Sequence, residues 1–207
     1  MLGVRALFVL CGATALGAAS CSGSGSGVGS GADGAPTDGG VDSAPQLMSV
    51  SVKGTVDGGS VDARNVLSVV RTTPTGAGGT SSGVELLITS APDYCALFSA
   101  SQSRANITSL ILAVSIDGTK APGPGVYAVP GAAGGPSPVG VYLKVDGSCN
   151  ATSNFSAKSG TITLEAVSTT WVSGSFALTF DTGTLTGTFS APSCASPSSS
   201  GTVACVP

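Results

Sequence analysis

Residues 159–190 read SGTITLEAVSTTWVSGSFALTFDTGTLTGTFS, and the spacing of their apolar side chains decides the fold class. Ile162, Leu164 and Ala166 recur at every second position, as do Phe176, Leu178 and Phe180, and then Leu185 and Phe189 follow in the same manner. Thr or Glu stands between them, and Ala177 once. A period of two belongs to a strand with one buried and one wet face. Two units in the stretch are alike: Val172-Ser-Gly-Ser-Phe176 and Leu185-Thr-Gly-Thr-Phe189. On neighbouring strands of a meander, each Phe would face the core while the Gly two residues away leaves room for a ring across the ladder. Asp181-Thr182-Gly183 between the units supplies residues that tolerate the positive φ of a tight turn.

The same alternation extends upstream. Val50, Val52 and Val56 share a face with Gly54, and Val66–Val70 is a short apolar run. Val84, Leu86 and Ile88 alternate, as do Leu110, Leu112, Val114 and Ile116. In the next segment Val139, Val141, Leu143 and Val145 point one way, and Gly140, Tyr142 and Lys144 the other. Asp117-Gly118 and Asp146-Gly147 sit at hairpin positions. The pattern predicts an all-β domain over residues 46–207, an antiparallel β-sandwich or closed β-barrel of about eight to ten strands. One segment departs from it. Ser90-Ala91-Pro92-Asp93 offers a cap, an early Pro and an acid, and Tyr94, Leu97 and Phe98 follow at helical spacing, so a short helix is expected over about 92–102.

Composition narrows the function classes. The chain has 207 residues, 42% hydrophobic and only 9% charged, with 8 Lys plus Arg against 11 Asp plus Glu and no His. A nucleic-acid binder needs a basic stripe to neutralise phosphates, and none is present. Without His, Ser-His-Asp and Cys-His catalysis and imidazole-based zinc sites are excluded. No cofactor or metal is expected.

The amino-terminal segment reads as an address. Arg5 precedes the apolar run Leu7–Leu10, and small residues continue to Ser20, the form of a secretory signal peptide over 1–20 that is too short to span a bilayer. Leu16-Gly17-Ala18-Ala19-Ser20-Cys21 resembles the lipobox of bacterial lipoproteins, with Ala18 where Leu is usual. The resemblance implies cleavage before Cys21 and acylation of that residue. Ser22 after it resembles cargo passed to the outer membrane. Residues 21–45 form a Gly/Ser-rich tether whose composition is that of a flexible coil, with a reach of about 25–30 Å. With the Gly-x-Phe strands, these features resemble lipoproteins of myxobacterial type. They imply a membrane partner through the lipid anchor and a place in the bacterial cell envelope.

With Cys11 in the signal and Cys21 committed to lipid, Cys95, Cys149, Cys194 and Cys205 remain. An even count in an exported chain reads as two disulfides, with three possible connectivities. Loop closure favours the nearest partners, Cys194 with Cys205 and Cys95 with Cys149.

Three chemistries compete with a plain binding or structural role. Phe180-Asp-Thr-Gly-Thr184 resembles the aspartic-protease signature, which needs two such carboxylates; this chain has one, and turn chemistry accounts for every residue of it. A glycosidase needs two carboxylates about 5–10 Å apart, and Glu85 and Glu165, the strand-interior acids, both alternate outward. Trp171, which opens a strand, and Tyr127 and Tyr142, which alternate away from the main apolar positions, are candidates for a sugar-binding platform. The expected function is a non-enzymatic envelope module that binds protein or glycan or serves structurally. A carrier of a small hydrophobic ligand in a barrel cavity is the alternative, and an envelope hydrolase comes third.

Overall fold

A computed structural model describes residues 47–74, 79–195 and 204–207. The signal segment, Cys21 and the tether to residue 45 lie outside the described residues. Ten strands form two five-stranded antiparallel sheets that pack as a sandwich, not a closed barrel. The first sheet runs β1 (Ser49–Val56), β11 (Gly183–Pro192), β10 (Trp171–Phe180), β9 (Ser159–Val167) and β6 (Gly125–Val129) in spatial order. The second runs β2 (Asn65–Pro74), β3 (Thr80–Thr89), β5 (Thr108–Asp117), β7 (Ser137–Val145) and β8 (Ala151–Ser156). A short helix, α1 (Tyr94–Ser99), and a parallel pair, β4 (Gln102–Arg104) with β12 (Ala204–Val206), complete it.

The quoted stretch forms β9, β10 and β11 as its periodicity requires. Phe176 pairs with Gly187 and Gly174 with Phe189, so each ring of the two similar units lies over the other unit's glycine. Both rings are buried. Asp181 and Thr182 make a two-residue turn, and Phe180 pairs with Gly183 across it. Asp146-Gly147 also turns the chain, because Asp146 Oδ1 accepts the amides of Ser148 at 2.8 Å and Asn150 at 2.9 Å. Those two bonds hold the Asp146 carboxyl below the usual carboxylate range. Asp117-Gly118 closes no hairpin. The chain crosses there from β5 to β6 in the other sheet and returns for β7.

Leu110, Leu112, Ile162, Leu164, Leu178 and Leu185 fill the space between the sheets. A second, smaller cluster lies on the outer face of the β2–β8 sheet. There Leu67 and Val69 of β2 meet Ile107, Val145 and the apolar face of α1, with Tyr94 buried and Leu97 and Phe98 partly so. That roof corrects three expectations. The helix covers six residues rather than about 92–102. Ser90 Oγ accepts the amide of Thr108 at 3.1 Å instead of capping, Asp93 takes a left-handed φ of 52°, and Ser101 at φ 56° ends the turn.

The phase of β7 is the second correction. Pro138, Gly140 and Tyr142 face the inter-sheet core, while Val139, Val141 and Leu143 face outward. A sheet with apolar groups on both sides does not reveal its inner face by hydropathy. Gly140 settles it by space, for a Cβ there would come within 2.5 Å of Leu178 Cδ1.

The disulfides are the third. Cys95 bonds Cys194, and Cys149 bonds Cys205. After β11 the chain bends towards β2, where Ser193 bridges Ser68 and the Cys194 amide donates to Ser68 O at 2.8 Å. Cys194 therefore arrives beneath α1, beside Cys95. β12 then pairs with β4, placing Cys205 opposite Ser103 and next to Cys149 in the β7–β8 turn. Strand placement overrides the shorter loop.

Candidate functional site

The three aromatic candidates are not brought together. Tyr142 is 2% exposed and belongs to the core, its ring 6.3 Å from that of Phe155, which corrects its assignment to a surface platform. Its hydroxyl reaches the β1–β2 connection, since a Cβ on Gly59 would come within 2.5 Å of it. Tyr127 is half-buried against the same core from β6, and its hydroxyl donates to Gly123 O at 2.6 Å. It also lines a shallow, open groove of about 200 Å³ with Val126, Ala128, Gly131, Ala132, Pro136 and Pro138.

Trp171 alone keeps an outward place. It opens β10 with the same alternation as Ser173 and Ser175, half-buried on the outer face, and its indole N–H donates to Ser190 Oγ at 2.9 Å. The face it joins is unusual in composition. The outward positions of β1, β9, β10 and β11 are Ser or Thr except at Lys53, Glu165, Ala166, Trp171, Ala177 and Pro192, which pairs with Trp171. Register aligns these hydroxyls in ranks: Ser51 pairs with Thr188, Thr188 with Ser175, and Ser175 with Thr163, across four adjacent strands. Ser51 Oγ and Thr188 Oγ1 are 3.0 Å apart and hydrogen-bonded. Thr and Ser were read in the sequence only as the wet half of each strand. The strand order that joins them into one surface was not legible there.

The carboxylates stand singly. Glu85 pairs with Arg71 on the outer face of the β2–β8 sheet, whereas Glu165 is exposed on the outer face of the opposite sheet. The whole sandwich separates the two acids, and they share no cleft. Asp181 lies 3.3 Å from Lys158 Nζ at the β10–β11 turn, and both groups are exposed. Among the described residues no three His, Cys, Asp or Glu side chains converge, and no helix is long and apolar enough to cross a membrane. No family model, curated protein or solved structure matches the chain.

The tyrosines give the domain an alkaline limit. Burial raises the phenol of Tyr142 above its ordinary value, and the carboxylate of Asp57 adds to it. Burial likewise raises Tyr94, against the opposing hydrogen bonds of Ser103 and the Arg104 backbone. With the folded value above the unfolded one, the unfolded chain loses its protons first as pH rises. Stability is full below the ordinary tyrosine value, about 10, and falls as pH climbs through the raised one. Urea midpoints measured between pH 8 and 11 should fall, and Tyr142→Phe should flatten the fall. An identical slope in that variant would remove Tyr142 from the account.

Proposed function

We propose that this protein is a lipid-anchored lipoprotein of the bacterial cell envelope whose β-sandwich is a non-enzymatic binding module. The single observation behind the module is the division of its surfaces. Both inner faces are committed to one filled core, one outer face is partly roofed by α1, and the other is left as a broad hydroxyl-lined surface. A sandwich filled in this way offers no interior for a carried ligand, which favours a surface-binding role over the small hydrophobic-ligand carrier. The two disulfides suit an oxidising compartment outside the cytoplasm.

The anchor rests on Leu16–Cys21. Each buried acyl methylene contributes about 0.8 kcal/mol, so the two or three chains of a lipoprotein cysteine hold a domain firmly where one does not. Cys21→Ala is expected to move the protein from the detergent-soluble membrane fraction to the periplasmic supernatant. Mass spectrometry of the parent should find acyl chains on an amino-terminal Cys21. An unmodified terminus at another residue would end this reading.

A further inference from the structure

We infer that the outer face of the β1–β11–β10–β9 layer is a binding surface for neutral polysaccharide, with Trp171 as its aromatic platform. The inference rests on the binding-module reading and names its ligand class.

Charge comes first. The face carries one cation, Lys53, and one anion, Glu165, on strands that flank the β10–β11 pair at its centre. A polyanion would meet a single ammonium there and a polycation a single carboxylate. A neutral polyol meets hydroxyls that both donate and accept. Their grid follows strand geometry, about 4.8 Å between strands and about 6.7 Å between alternate residues of one strand. Ser175 and Thr188 lie at its middle, paired across β10 and β11.

Trp171 adds what hydroxyls lack. Sugar rings present C–H faces as well as hydroxyls, and an indole offers apolar area with little entropy to lose on binding. The bond to Ser190 already fixes the ring, so the platform is preorganised. The same composition argues against a protein partner, because protein interfaces are enriched in Tyr, Trp, Phe, Met and Arg and depleted in Ser. It argues equally against a lipid surface, which requires an apolar or basic face.

Trp171 is the chain's one tryptophan, so its emission reports on this surface alone. The full chain in a polyoxyethylene detergent would be titrated with cellohexaose, maltohexaose, mannohexaose and, as the anionic counterpart, hexagalacturonate. Binding would be followed by fluorescence and by calorimetry. At least one neutral hexasaccharide should change the emission and bind, and hexagalacturonate should not. Thr188→Val, which removes a hydroxyl at constant volume, should weaken binding about fivefold. Trp171→Ala should abolish the heat of binding while the circular dichroism spectrum stays that of the parent, and Trp171→Phe should retain part of it. No binding of any neutral probe, equal binding of hexagalacturonate, or an unchanged affinity in Thr188→Val would each overturn the inference. Membrane fractionation of the parent chain separates the two readings. A parent that stays in the membrane but binds no neutral hexasaccharide loses the ligand class alone, whereas a parent that is not anchored loses the envelope module.

Discussion

Gly187→Ala and Gly174→Ala are each expected to lower stability by about 3 kcal/mol, at the upper end for overpacking a well-filled core. A Cβ on Gly187 would stand 2.7 Å from Phe176 Cζ and would also collide with the backbone oxygen of Ser51 on β1. On Gly174 it would stand 2.9 Å from Phe189 Cζ and collide with the backbone oxygen of Thr163 on β9. A ring tip could turn aside, but the carbonyl of a neighbouring ladder cannot, so two adjacent strand pairs must spread. For a chain of this length that cost corresponds to about 6–12 °C in Tm. Gly123→Ala is the control: nothing lies within 4 Å of its Cβ and its φ is ordinary, so it should stay within about 0.5 kcal/mol of the parent. Combining Gly187→Ala with Phe176→Leu should recover part of the loss by withdrawing the ring while leaving the collision with Ser51. Urea unfolding followed by Trp171 emission reads all four proteins. If Gly187→Ala melted with the parent, β1, β10 and β11 would have to be spaced more widely than the structure places them.

This interlock is also the part of the fold most legible in the sequence. Phe and Gly at a spacing of two, repeated on either side of a turn, leave few arrangements of two neighbouring strands in which both rings fit. The face of β7 was illegible for the opposite reason. Leu143 and Val145 join the second apolar cluster on that side while Val139 is exposed, and no local pattern separates such a face from the core. The pair β4 and β12 escaped because three residues make no period. A parallel contact joins them and Cys149–Cys205 ties β12 to the β7–β8 turn, both long-range. Of the candidate site, Trp171 was legible as the residue that opens a strand, but its partner Ser190 and the hydroxyl ranks depend on the order β1–β11–β10–β9. Tyr142 failed as a surface residue together with the phase of its strand.

Removal of the two disulfides should have unequal effects, although chain entropy alone would make them similar. Cys95–Cys194 closes a separation of 99 residues and Cys149–Cys205 one of 56. On the loop-closure scale each constrains the unfolded chain by about 4–5 kcal/mol. The folded states respond differently once the bonds are gone. Cys194 is 5% exposed and packs with Tyr94, Leu67 and Val69, so Cys95→Ala with Cys194→Ala leaves a gap beneath α1 as well as a freer unfolded chain. A loss of about 4 kcal/mol is expected. Cys205 is exposed on a three-residue strand, and Cys149 is only partly buried in its turn. Without their bond β12 can leave β4 while both five-stranded sheets remain, which returns entropy to the folded state and offsets most of the model cost. Cys149→Ala with Cys205→Ala should therefore cost about 1 kcal/mol or less, and limited proteolysis should trim that variant from its carboxyl terminus. The same asymmetry orders reduction. Under a rising concentration of dithiothreitol, alkylation and peptide mass spectrometry should find Cys149 and Cys205 labelled before Cys95 and Cys194, because access governs thiolate attack on a disulfide. Equal losses in the two double variants, or labelling in the reverse order, would mean that β12 is held by more than its three-residue ladder and one sulfur bridge.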